Sequence, residues 1–421
     1  MNLRTPRGMT RRHFMEHLAG AAGMGGAALA LATSLRVHAA ELKRTHKSCI
    51  LLWMGGGPPT IDMWDMKPGA ATGGQFKPIA TTGEGQINEL MPLVAQQMKH
   101  LSIVRSMSTR EADHARGTYY LHTGFVPNPN VVHPSYGSVV AHQLREETAQ
   151  LEIPPFVSIG GASEGPGFLG MAYAPFQVDS NGQVRDLEAP ADKDRLRDRM
   201  ELLGMLEKRF IGEKRGSAAA EHAKVLESTL ELMTSRQMEA FKVDSEPAEV
   251  RQRYGASGFG RGCLMARRLV ETGVPFVEVT LGGWDLHQNC FTTLETKLPE
   301  LDKAMSALVE DLNQRGLLAS TVVLWMGEFG RTPRINATAG RDHWARCWSV
   351  VGGGGGMVGG RVIGATNEDG TQVAGDAYSS EDLMATVCRA MGISLETVFT
   401  ATNGRPMRIA GGGKAIEGLF S

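Results

Sequence analysis

The chain has 421 residues, enough for one large α/β domain or two ordinary ones. A formal charge of −1 gives no whole-protein attraction to nucleic acid or to an anionic membrane, so neither is an expected partner. With 52 glycines and 6% aromatics, a loop-rich α/β protein fits better than a helical bundle.

Residues 1–40 read as an export signal rather than as fold. Arg11-Arg12 precede a mild Ala/Gly/Leu run to Leu35, and Val37-His38-Ala39 offers a small-residue cleavage site. The twin-arginine export machinery is the expected partner, and a periplasmic or secreted location follows. The run is short and glycine-rich for a span of hydrocarbon, and no other stretch has 18 consecutive apolar residues, so no stable membrane span is expected after processing. The cysteines at 49, 263, 290, 347 and 388 are scattered, with no Cys-x-x-Cys. They read as small buried hydrophobes, with one oxidised pair left open.

Ser48–Met54 is a short apolar strand stopped by Gly55-Gly56-Gly57-Pro58-Pro59. No Gly-Lys-Ser/Thr follows, so this is not a nucleotide P-loop. Asp62, just beyond, is either a metal carboxylate or a turn residue. Leu101–Arg105 is a second strand. A helix follows, begun at Asp113-His114 and ended at Thr123-Gly124. Phe156–Ile159 is a third strand, leading to a glycine-rich loop over 160–175.

Residues 188–250 are highly charged and carry Leu196, Met200, Leu203 and Leu206 at helical spacing, which predicts a helical insert. Gly262–Thr272 is a helix and Phe276–Leu281 a strand that runs into Gly-Gly-Trp-Asp285-Leu-His287. Leu298, Leu301, Met305, Leu308 and Leu312 mark a further helix closing at Gly316. Alternation of this kind gives parallel strands joined by crossovers. Trp348–Val351 begins another strand, and Gly352–Gly356 reads as a flexible hairpin. Glu381–Met391 is the last helix.

The stretch around which the chain is organised is Thr321–Trp344. An apolar strand, Val322–Met326, ends in Gly327-Glu328, and Glu328, Arg331, Asp342 and His343 fall within sixteen residues. Ligands in open α/β sheets bind beyond the carboxyl ends of strands. Asp62, Asp285, His287, Glu328, Asp342 and His343 are therefore the expected metal ligands, enough for one ion or a pair. Mixed carboxylate and imidazole donors suit zinc, manganese or iron, and oxygen-rich sets suit calcium or magnesium. The identity of the divalent metal stays open. Arg331 or Arg341 could clamp an anion bidentately.

These motifs resemble a known family. Gly-Glu-Phe-Gly-Arg-Thr-Pro, Gly-Arg-Asp-His-Trp, Gly-Gly-Trp-Asp-Leu-His and the opening Gly-Gly-Gly-Pro-Pro-Thr-Ile-Asp-Met-Trp-Asp are similar to the secreted domain of unknown function 1501, over residues 45–420. That family resembles the alkaline phosphatase and sulfatase superfamily. The resemblance implies one domain over 45–420: a mostly parallel central sheet sandwiched by helices, with metals at the strand ends. Asp285 and His287 then match the superfamily's Asp…His metal pair at shorter spacing, and His343 its later lone histidine. Glu328 stands for an Asp, with Phe329 where a His belongs. The nucleophile slot holds His114, and Arg116 and Thr118 break the Cys-x-Pro-x-Arg pattern, so formylglycine sulfatase activity is not expected. His114 is instead expected as ligand or general base, with Arg331 beside it in catalysis. The implied function is a metal-dependent hydrolase of phosphate or sulfate esters, acting on an anionic small molecule or glycan. The alternatives are a metal-containing binder of sulfated or phosphorylated glycans and a structural envelope component.

Overall fold

The computed structural model describes residues 46–181 and 235–421, together with Leu202 and Met205. The expected signal at 1–40 lies outside these residues, as does most of the expected insert at 188–250. From residue 235 onward, two short 3-10 turns at Arg236–Phe241 and Val243–Ser245 lead into helix α3.

Eight strands form one sheet: β1 (Ser48–Trp53), β2 (Leu101–Met107), β3 (Phe156–Ile159), β4 (Phe176–Val178), β5 (Phe276–Thr280), β6 (Thr321–Met326), β7 (Trp348–Gly354) and β8 (Val362–Ile363). Their spatial order is β8-β2-β7-β6-β1-β5-β3-β4. Only β7 runs antiparallel to its neighbours. The helices used below are α1 (His114–Thr123), α2 (Tyr136–Gln143), α3 (Ala248–Tyr254), α4 (Gly258–Thr272), α5 (Cys290–Gln314) and α6 (Ser380–Met391). The expected strands reappear within a few residues of their predicted ends. The short edge strands β4 and β8 were not expected from sequence.

The central strands are apolar on both faces because both faces are covered. In β1, Ile50 and Leu52 join the core beneath α4 and α5. Cys49, Leu51 and Trp53 alternate to the opposite core, beneath α1, α2 and α6. Helix α5 buries Leu294, Leu298, Leu301, Met305, Leu308 and Leu312, which is the predicted stripe extended back by one turn. Each such side chain contributes roughly 1.5–3 kcal/mol on burial. All five cysteines are buried and free.

The run at Gly352–Gly356 corrects its sequence reading in part. Gly352 to Gly354 belong to β7, paired on one side with β6 and, through Gly353, on the other with β2. A Cβ on Gly353 would lie 2.2 Å from the His100 carbonyl oxygen. Gly352 to Gly354 thus serve close strand approach, while Gly355 and Gly356 make the expected turn, closed by the Met357 N–H donating to Gly354 O at 3.0 Å.

β1, β5 and β6 are adjacent and parallel at the centre. Their carboxyl ends open into Gly55–Pro59, Gly282–Asn289 and Gly327–Phe329, so these three loops lie side by side. The candidate site forms where α1 begins beside them.

Candidate metal centre

Helix α1 starts at His114 because Asp113 caps it, accepting the Arg116 backbone N–H. It stops at Gly124, which takes the left-handed conformation. This places the His114 ring at the helix mouth, over the end of the sheet. Gly56 has φ of +116°, and a Cβ there would lie 2.6 Å from the Asp285 nitrogen. Only glycine lets the β1 and β5 loops touch in this way. The Gly56 N–H donates to Glu328 Oε1 at 2.9 Å, tying in the β6 loop.

Three imidazoles and one carboxylate converge. Asp285 Oδ1 lies 3.3 Å from His114 Nε2, 3.0 Å from His287 Nε2 and 3.2 Å from His343 Nε2. His287 Nε2 and His343 Nε2 are 3.1 Å apart. The ligand atoms of His114, Asp285 and His343 lie within 4.8 Å of one another, the spacing of a metal-ligand cluster.

The far nitrogen of each ring is held by an acceptor. His114 Nδ1 is 2.7 Å from Glu328 Oε1, His287 Nδ1 2.7 Å from Asp342 Oδ1, and His343 Nδ1 2.7 Å from the Ala112 carbonyl oxygen. Carboxylates and carbonyls only accept, so each Nδ1 carries the proton. Each ring then turns its Nε2 toward the Asp285 carboxylate, and those of His287 and His343 also face each other. His114 Nε2 is buried and makes no hydrogen bond. The His287 and His343 lone pairs at this range repel unless a proton or a metal cation lies between them. The donor set fits a divalent metal, and the Nδ1 acceptors are the outer partners that metal-ligating histidines use.

The mouth is open to solvent. The side chains of Asp285 and His287 are 48% and 44% exposed, where a closed structural site would bury them. Burial works to raise the Asp285 carboxyl, but the hydrogen bond and charge of Arg331, with His343 and His114, outweigh it and hold Asp285 well below the usual carboxylate range. The hydrogen bond from His287 holds Asp342 below its ordinary value.

The two loops that carry the histidines are stitched together. Asn336 Nδ2 and Thr338 Oγ1 both donate to the His287 carbonyl at 2.9 Å, and the Arg341 N–H donates to Leu286 O at 2.9 Å. Phe329 is buried, its ring centroid 5.1 Å from that of His114 and 4.7 Å from that of His343. It supports two imidazoles from the place where the resemblance expects a histidine.

Several expected site residues have other work. Asp62 is buried in an ion pair with Arg341, whose Nε and Nη2 donate to its two oxygens at 2.7 and 2.8 Å. With both oxygens engaged there, Asp62 does not join the cluster. Glu328 and Asp342 contact it through His114 and His287, and Glu328 Oε2 is buried with no hydrogen-bond partner. The donors that meet at Asp285 form one ligand set, which would hold one ion. The anion clamp is corrected as well. The Arg331 side chain is fully buried and donates to Gly57 O at 2.7 Å, to Arg341 O at 3.2 Å, to Asp285 Oδ1 at 2.5 Å and to Gly56 O. Arg341 spends its remaining donors on the carbonyls of Thr332, Pro333 and Thr72. Neither guanidinium is free for a substrate. The Ala112 carbonyl and Gly56 N–H were not foreseen, because backbone groups carry no sequence signal.

A family model described as a protein of unknown function, DUF1501, matches residues 46–420. The chain belongs to the DUF1501 family. No curated protein sequence matches it. Among solved structures, this DUF1501 chain is similar to the PsFucS1 sulfatase from Pseudoalteromonas sp., at 12% identity and a TM-score of 0.38, over 85% of this chain and 71% of the sulfatase. It is similar to a protein in the alkaline phosphatase superfamily from Vibrio parahaemolyticus, at 12% identity and a TM-score of 0.37, over 88% of this chain and 69% of that one. It is also similar to alkaline phosphatase from the Antarctic bacterium TAB5, at 14% identity and a TM-score of 0.32, over 83% and 99% of the two chains.

Two expectations follow for the DUF1501 site. Glu328→Gln removes the carboxylate that fixes the His114 tautomer, and metal affinity should fall ~10–100-fold with little change in fold. Chelator competition measures this. The second concerns pH. The hydrogen bond to Glu328 raises the His114 pKa above its ordinary 6.5, burial opposes it, and the Glu328 and Asp285 charges add to the rise. A proton on Nε2 blocks ligation, so affinity should climb with pH until it passes the raised value and then level off. The same competition assay run from acid to alkaline pH should place the plateau onset lower in Glu328→Gln than in the parent chain.

Proposed function

We propose that the protein is a metal-dependent hydrolase of phosphate or sulfate esters, with His114, His287, His343 and Asp285 as the ligands of one divalent ion. The observation that carries this reading is the convergence of three imidazole lone pairs and a carboxylate at a solvent-open mouth. Three imidazoles favour zinc, manganese or iron over calcium or magnesium. When bound, such an ion supplies Lewis acidity toward an ester oxygen. The chain's own residues fix the donors: Glu328 and Asp342 hold two rings in one tautomer, and Arg331 anchors Asp285. His114 serves as a ligand in this reading, because its free nitrogen belongs to the convergent set.

Export through the twin-arginine machinery, with loss of residues 1–40, is part of the same proposal and rests on the sequence pattern alone. Among the described residues, no helix is long and apolar enough to cross a membrane. Mass spectrometry of the envelope-located chain should find it starting near residue 40, and an intact Met1 there would contradict export processing.

A screen of aryl phosphate and aryl sulfate esters with the metal-loaded chain tests the activity. Turnover that falls ~10²-fold or more in His287→Ala supports the reading. Full metal occupancy with no turnover on either ester class would favour a second reading, a non-catalytic binder of sulfated or phosphorylated glycans. His114 in the nucleophile position and Phe329 in the place of a metal histidine are the features on that side.

A further inference from the structure

A cavity of about 530 Å³ opens between α3, α4 and α5, on the sheet face away from α1, and shares no residue with the metal centre. Arg251, Arg261 and Lys303 line it, with Gln252, Gly255 and Leu264, and no carboxylate is among its lining residues. Among the described residues, Asp244 is the carboxylate that pairs with its arginines. It accepts from Arg261 Nη1 at 3.0 Å and Nη2 at 3.2 Å, and lies 3.6 Å from Arg251 Nη1. Among the described residues, two of these three cations share one carboxylate and Lys303 makes no ion pair. The Nε atoms of Arg251 and Arg261 are both buried without a hydrogen-bond partner. A buried N–H on a charged group left unsatisfied is costly, and this cavity leaves two such groups beside it. Lys303 lays its aliphatic stem over Gly255, 3.4 Å from where a Cβ would sit, which brings its ammonium to the same opening.

We infer that this cavity is a second binding site, for a phosphate- or sulfate-bearing small molecule, separate from the metal centre. Guanidinium and ammonium groups around an oxyanion give charge-assisted hydrogen bonds, and the planar Arg fork suits tetrahedral oxyanions. Three cations at one opening favour a ligand carrying at least two negative charges. The volume admits a diphosphate and excludes a long polymer from full enclosure.

The test is isothermal calorimetry of pyrophosphate against the full chain, its His343→Ala variant, Lys303→Ala and Arg251→Gln. Lys303 is exposed and has no ion pair among the described residues, so its replacement should leave the fold intact, which far-ultraviolet circular dichroism checks. The expected result is binding retained in His343→Ala and weakened about tenfold or more in Lys303→Ala and in Arg251→Gln. Binding that disappears in His343→Ala belongs to the metal centre and overturns the inference. So does binding indifferent to both cavity substitutions, or no binding to the parent chain.

Discussion

Asp62→Asn should destabilise the chain by ~3–5 kcal/mol, the range for breaking a buried ion pair from one side. The Asp62 and Arg341 side chains are 1% and 0% exposed, and the contact is two-pronged. Loss of the carboxylate charge leaves a guanidinium in the interior with no counter-ion. Arg341 also holds carbonyls at Thr332, Pro333 and Thr72, so the strain spreads to the loop that carries Asp342 and His343. Urea unfolding should show a much lower midpoint at unchanged slope. Replacing both partners, as Asp62→Leu with Arg341→Met, should recover much of the loss, because a buried pair is worth little against apolar groups of similar volume. A double variant no more stable than Asp62→Asn would show that the carbonyl contacts of Arg341, rather than its charge, hold the loop.

The second large effect is at the metal. His287→Ala removes one of three convergent nitrogens, and metal affinity should fall ~10²-fold or more. Its ring meets Asp285, His343 and Asp342 within about 3 Å and lies at the surface, so the fold should survive the loss. Elemental analysis of the tag-free chain should give close to one equivalent of a transition metal, and the His287→Ala chain far less. An unchanged metal content in His287→Ala would remove that residue from the ligand set.

Much of this site was legible from position alone. Asp285, His287, Glu328 and His343 each follow an apolar strand, and adjacent parallel strands deliver their carboxyl ends to one edge. Hydrophobic period identified α5, and Asp113 and Gly124 marked the ends of α1. What stayed hidden was pairing across the sequence. Asp62 and Arg341 stand 279 residues apart, and nothing local says that they neutralise each other. Arg331 reads as an exposed clamp after a strand, yet the β1 loop closes over it and takes its hydrogen bonds as carbonyls. The glycines of β7 gave a loop signal because backbone packing between strands leaves no mark beyond the lack of a side chain. The division between ligand and supporting carboxylate also depends on which ring nitrogen faces inward, and only coordinates fix that.

The central claim is that His114, His287, His343 and Asp285 hold one metal ion through the three Nε2 atoms and the Asp285 carboxylate. Anomalous X-ray diffraction at the absorption edge of the metal found by elemental analysis tests it most directly. The account predicts a single strong peak at the mouth, bounded by those four side chains, with each Nδ1 still turned to Glu328, Asp342 or the Ala112 carbonyl. A peak bound through Glu328 or Asp62, or none at this mouth in metal-replete crystals, would contradict it.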